Sequence, residues 1–222
     1  PVVYVNLVGG QDELVFDGAA TQNFNSNDQT IGMVSIDNPA GVSLGANVTQ
    51  VNGNHLLNTI SLKAGYLDLA GYGWIADTNA AATPVPDSFR GIAGSLVLSP
   101  GTELRCGNLY TAAAYAVTHS GAAMSTLRAD GDVDFNGTLA NTAYSTLRMT
   151  GSLATLDATT ELGHLAIAGS IILDSTIELS HNLDIESGYL DASTSNYNIT
   201  LSGHWTNDVG NAGFVAREGE VH

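Results

Sequence analysis

The chain has 222 residues and a mass of 22.9 kDa, enough for one sizeable core in a single domain or for two small domains. Asp and Glu outnumber Lys and Arg by 22 to 6, for a formal charge of −16. The cations are Lys63 and five scattered arginines, which argues against a nucleic-acid partner or an anionic membrane surface, since both need clustered positive charge. Charged residues make up 13% against 44% hydrophobic, with 25 glycines, a profile far from acidic disorder or helical bundles and suited to an all-β protein with many turns.

In chain order the apolar residues alternate rather than recur at helical spacing: Ile60-Ser61-Leu62, Leu67-Asp68-Leu69, Leu96-Val97-Leu98, Leu165-Ala166-Ile167, Ile171-Ile172-Leu173 and Leu183-Asp184-Ile185. These predict short strands, punctuated at Gly65, Gly94, Gly169, Asn182 and Gly188. Thr111 to Val117, around Ala112-Ala113-Ala114, is the one helix-tolerant stretch. All five prolines fall in the first hundred residues, so residues 101–222 can pair in ladders with every backbone donor present. Cys106 has no intrachain disulfide partner and reads as a small buried hydrophobe. Nowhere does an apolar run reach about 18 residues, so no membrane insertion is expected. With no initiator Met and no signal-peptide pattern, the chain reads as a mature product or an excised fragment.

Internal repeats set the fold class. Ser125-Thr126-Leu127-Arg128 returns as Ser145-Thr146-Leu147-Arg148, and the frame continues at Leu165-Ala166-Ile167-Ala168-Gly169 and Leu183-Asp184-Ile185-Glu186-Ser187-Gly188. A second submotif, Gly-Ser-aliphatic followed by Glu-Leu, occurs at Gly94, Gly151 and Gly169, with Glu103, Glu161 and Glu178 as its acidic members. A period of about 18–20 residues is one turn of a β-solenoid, whose strands cannot bury their apolar faces until turns stack. Leu127, Leu147, Leu165 and Leu183 are then expected to stack inside. The full chain would wind roughly 10 or 11 turns into a rod on the order of 50 Å long. A β-sandwich is the rival architecture, but sandwiches do not usually repeat side-chain identity in register.

Gly65-Tyr66-Leu67-Asp68 returns as Gly188-Tyr189-Leu190-Asp191, each followed by a tryptophan, Trp74 or Trp205. Together with Leu14-Val15-Phe16-Asp17-Gly18, Gln22, Ile36-Asp37-Asn38-Pro39-Ala40-Gly41-Val42-Ser43-Leu44, Trp205-Thr206-Asn207, Phe214 and Gly219-Glu220-Val221, this pattern resembles the repeats of large secreted bacterial surface proteins. The resemblance covers residues 10–75 and 183–222. It implies an all-β, right-handed parallel β-helix of adhesin-like or filamentous exoproteins, located outside the cell or on its surface, and it carries over no catalytic residues. The expected organisation is a single solenoid over 1–222, with 76–91 as a loop excursion between two weakly similar halves. The closing Gly219-Glu220-Val221-His222 matches the part of the pattern that leads into an aromatic strand such as Val15-Phe16-Asp17-Gly18. The chain is therefore expected to belong to a longer rod or to stack head to tail on copies of itself.

Asp130, Asp132 and Asp134 alternate beside Arg128 and Arg148. Carboxylates on one strand face can converge on Ca²⁺, as calcium-dependent polysaccharide lyases on β-helices arrange them, and the same residues can equally be a solvated face. Tyr66, Tyr72 and Trp74 are candidates for stacking on glycans, or pack at a corner. The six histidines show no zinc spacing and no Gly-x-Ser-x-Gly elbow occurs. Asn47, Asn136 and Asn198 open sequons. With charge thin and spread over the repeats, the expected role is a non-enzymatic structural or adhesive module. Its expected partner is itself, with glycans as a second candidate, and it needs no cofactor unless Ca²⁺ binds. The alternatives are a polysaccharide lyase and a calcium-dependent binding module.

Overall fold

The computed structural model describes residues 2–3, 13–26, 31, 33–50, 59–76 and 88–222. Their regular structure is strand, apart from two 3₁₀ turns at Thr142–Tyr144 and Gly210–Ala212. The strands pair in parallel and sort into three faces of a β-solenoid of about 8 turns. One face stacks Glu13–Phe16, residues 33–36 and 59–62, Ser88–Gly91, Asn108–Thr111, Val133–Phe135 and the later rungs up to Phe214–Val215. The second runs from Gln22–Phe24 through Gly94–Leu98, Tyr115–His119 and Thr138–Ala140, and Ile177–Leu179 with Ile199–Leu201 continue on its side. The third stacks Val48–Gln50, Trp74–Ala76, Glu103–Cys106, Ser125–Ala129, Ser145–Met149, residues 164–167 and 183–185, and Trp205–Asn207. A sandwich is ruled out, because its sheets are built from antiparallel strands.

The turn count falls short of the 10 or 11 expected because the period stretches. It is 18 residues from Leu147 to Leu165 and again to Leu183, but 29 from Ile60 to Phe89 and 30 from Trp74 to Leu104. Ladder pairing fixes strand length, whereas corners tolerate insertions. Of the expected excursion 76–91, Ala76 and Ser88–Gly91 pair within the ladders, and residues 77–87 lie outside the described residues. The helix-tolerant stretch is two strands, Asn108–Thr111 and Tyr115–His119, joined by a turn in which Tyr115 N donates to Ala112 O at 2.9 Å. Tyr115 faces inward, and burying its ring outweighs weak local helix propensity.

Inside the third face Val48, Trp74, Leu104, Leu127, Leu147, Leu165 and Leu183 lie one above the next, all buried, with half-buried Trp205 above them. Beside them Cys106, Ala129, Met149, Ile167 and Ile185 form a second buried column. Aromatic pairs fill the early turns: Phe16 against Phe24 at 5.3 Å between ring centroids, Phe24 against Trp74 at 5.8 Å, and Phe89 against Tyr115 at 6.0 Å.

Corners depend on glycine. A Cβ on Gly65 would run into the carbonyl of Asn38, one on Gly94 into that of Gly65, one on Gly169 into that of Gly151, and one on Gly188 into that of Gly169. The repeated Gly-Tyr-Leu-Asp is such a corner device. Gly65 and Gly188 both have positive φ (76° and 72°), Leu67 and Leu190 are buried, and Asp68 and Asp191 each accept from the backbone N–H two residues on, at 2.8 and 2.9 Å. The two copies occupy different corners, Gly65 between the first and second faces and Gly188 between the third and first. The motif thus encodes a local turn rather than a position in the solenoid. The Gly-Ser-aliphatic submotif is also not one rung position, since Leu153 is the extra residue of a bulge, at φ 59° and 64% exposed.

Leu165→Ala is expected to cost about 2–5 kcal/mol in urea unfolding, because a column held from above and below leaves a cavity. Gly188→Ala should cost more than Gly210→Ala. Both glycines have positive φ (72° and 75°), which by itself costs an L-residue about 1–2 kcal/mol, but only Gly188 meets a carbonyl while Gly210 faces open space.

Candidate functional site

Stacking like over like places charge over charge on the outside. The outward column of the third face reads Ile75, Arg105, Arg128, Arg148, Ala166, Asp184 and Thr206. Three guanidinium groups one rung apart, about 4.8 Å in a parallel sheet, repel one another. Asp130, just past the strand Ser125–Ala129, answers two of them: Arg105 Nε donates to its Oδ2 at 2.6 Å and Arg128 Nε to its Oδ1 at 2.9 Å. The Thr150 hydroxyl donates to the same carboxylate. Burial pushes the Asp130 pKa up, but the hydrogen bonds from Thr150, Arg105 and Arg128 outweigh it and hold the group below its ordinary value. Arg148 pairs with Glu186, Nη2 to Oε2 at 2.5 Å and Nη1 to Oε1 at 2.8 Å. Glu186 is the bulged residue between Ile185 and Ser187, and it reaches past the small Ala166 to a guanidinium two rungs away. Higher up, Arg217 binds Asp191 with two bonds at 3.0 and 2.9 Å, which lower the Asp191 pKa.

The three candidate calcium ligands are directed to different partners. Asp130 lies within the arginine pair, Asp132 Oδ1 accepts from Thr155 N at 2.7 Å and Thr155 Oγ1 at 3.1 Å, and Asp134 accepts from Asn136. Asp134 also sits one rung from Asp157, and burial first, then that neighbouring charge, raises its pKa. Among the described residues no group of three or more His, Cys, Asp or Glu side chains is placed to hold a metal ion. Arg128 and Arg148, the cations of a lyase-type site, are bound by Asp130 and Glu186.

The proposed glycan platform is not assembled. Trp74 is fully buried in the interior column, where it packs on Phe24. Tyr66 lies over Gly41 and its hydroxyl meets Thr21 Oγ1 at 3.3 Å, so of the three only Tyr72 is exposed. Tryptophan was the largest apolar side chain on offer at that rung, and burial claimed it. Nor do Glu103, Glu161 and Glu178 form one ladder: Glu103 sits on the third face against Thr126, whereas Glu178 sits on the second side against Thr200, one rung from Glu161.

Sequence reading missed a polar cluster inside the core. His119, Ser125 and Ser145 are buried, His119 Nδ1 bonds Ser125 Oγ, and Ser145 stacks directly on Ser125. A cavity of about 10 Å³, lined by His119, Ser145, Leu127, Leu147, Phe135 and Leu139, adjoins them, close to the volume one water needs. Burial pushes the His119 pKa down to about 4. The signal was present in that Tyr115-Ala116-Val117-Thr118-His119 alternates and places His119 on the inward side. No family model, no curated protein and no solved structure matches the chain.

His119 binds its proton in the unfolded chain near pH 6.5 but in the folded chain only near pH 4. Its stability contribution is therefore complete above about pH 6.5 and lost as pH falls toward 4, on the order of 3 kcal/mol. Urea midpoints should fall more steeply across that window in the parent than in His119→Asn. Asp130→Ala, which leaves Arg105 and Arg128 stacked without their shared carboxylate, should cost about 1.5–3 kcal/mol at pH 7. Because the folded Asp130 pKa is depressed, that difference should shrink as the pH falls below about 3.9.

Proposed function

We propose that the chain is a non-catalytic structural or adhesive module of an extracellular or bacterial cell-surface protein, a segment of rod that spaces or displays other elements. The observation that carries this reading is where the cations go. Arg105, Arg128, Arg148 and Arg217 each bind a carboxylate of the chain itself, and the Arg90 guanidinium lies 5.8 Å from the Tyr110 ring centroid. A site that handles an acidic polysaccharide would hold such groups ready for substrate. Here they tie rung to rung, which is work for a scaffold. The adhesin-like resemblance of residues 10–75 and 183–222 supports the same reading. About 8 turns at roughly 4.8 Å each make a rod on the order of 40 Å long. Parallel rungs can be continued by further rungs, of a longer chain or of a second copy, through strand addition. The charge of −16 opposes lateral clumping of such rods.

Sedimentation velocity and electron microscopy of the purified chain across salt and Ca²⁺ concentrations test this. Axial assembly should increase with ionic strength as screening shortens toward a Debye length of about 8 Å, giving filaments one rod wide. Ca²⁺-dependent depolymerisation of a polyuronate, lost in Arg128→Ala, would overturn the non-catalytic reading.

A further inference from the structure

The third face carries a second feature that the scaffold does not use. His164 opens the rung 164–167, and His181 precedes the next rung, 183–185, its backbone N donating to Gly163 O at 3.3 Å. Adjacent turns thereby bring the two imidazoles together, with ring centroids 4.8 Å apart and planes tilted by 33°. Both rings are half-buried at the surface. His164 Nε2 lies 3.3 Å from the carbonyl of Ala143, which assigns the proton to that nitrogen and leaves Nδ1 as the lone-pair donor. His181 Nδ1 lies 3.2 Å from Ser180 Oγ, a contact that leaves Nε2 outside the hydrogen bond.

We propose that His164 and His181 form a bis-imidazole site for a divalent transition-metal ion, Cu²⁺ foremost. Two imidazoles that take adjacent positions on one metal at roughly 2.0–2.1 Å have ring centroids about 4.5–5 Å apart, and the two rings here are 4.8 Å apart. Each ring is half-oriented already by its outer hydrogen bond, as second-shell partners orient ligating histidines. The Asp184 carboxylate, whose charge acts on His164, favours a cation there. Imidazole ligands rank the first-row divalent ions with Cu²⁺ at the top, and two protein ligands with the remaining positions filled by water suit it. The acidic surface concentrates cations around the rod.

Titration of the 222-residue chain with CuCl₂ alone at pH 7.5, followed by calorimetry and by electron paramagnetic resonance, tests the site. One equivalent should bind with a two-nitrogen signature and raise the melting temperature by tying two rungs together. His164→Gln and His181→Gln should each weaken binding at least tenfold and abolish the melting shift, with circular dichroism confirming the fold. His204→Ala and His222→Ala should leave binding as in the parent. No binding by the parent, undiminished binding by both Gln variants, or loss of binding in His204→Ala or His222→Ala would overturn the proposal.

Discussion

Adjacent rungs of a parallel sheet are separated by about 4.8 Å, and at a corner the backbone of one turn lies directly on the backbone beneath it. A Cβ at the inner side of such a corner has nowhere to go. That is why Gly65, Gly94, Gly169 and Gly188 each sit against the carbonyl of the residue one turn below. Where the lower rung offers Asn38 instead, its side chain is drawn into the corner as a bracket, donating to Ala20 O, Gln22 Oε1 and Gly41 O and accepting from Ala40 N. Pro39 falls within the irregular register beside it, where the ladder does not ask for its missing donor. With the corners pinned, register follows on the faces, and each side chain meets its counterpart one turn away.

Register then acts in opposite ways inside and out. Inside, leucine over leucine is favourable, and the columns from Leu104 to Leu183 are buried throughout. Outside, the same rule stacks arginine on arginine and aspartate on aspartate. The third face resolves it with Asp130 between Arg105 and Arg128, and with the bulge that swings Glu186 toward Arg148. The first face leaves Asp134 beside Asp157, where burial and repulsion together raise the Asp134 pKa. Four of the five arginines are engaged by carboxylates of the chain itself, against 22 acidic residues in all. The solenoid is therefore cross-braced between rungs and anionic overall.

Much of the fold was legible because identity repeats wherever register is exact. Leu127-Arg128 and Leu147-Arg148 announce both the inner and the outer column, and Leu104-Arg105 belongs to the same series but lies 23 residues before Leu127 rather than 18 to 20. Insertions at corners hid it, and with it the true turn count. Trp74 stayed open between two readings because an aromatic reads alike from sequence whether it faces a sugar or a core. The alternation that decides the matter requires knowing that Trp74 pairs with Leu104. The Asp130 clamp was not legible because Arg105 and Thr150 are 25 and 20 residues distant from Asp130, so only the closed coil brings them together. For His119 the alternation puts the ring inward, but it does not show that the chain turns a corner and brings Ser125, six residues on, against it. Residues with a local partner, such as Asp68 and Asp191 in their turns, could be read as a recurring motif.

The claim on which the rest depends is that the corners, and not only the flat faces, hold the turns in register. Hydrogen–deuterium exchange resolved to single amides tests it directly. The corner amides of Asp130, Asn136 and Thr150, which donate to Cys106, Thr111 and Ala129 on the neighbouring turn, should exchange as slowly as the face amides of Leu165 and Leu183. Slow exchange on the faces with free-chain exchange at those three corner amides would contradict the account.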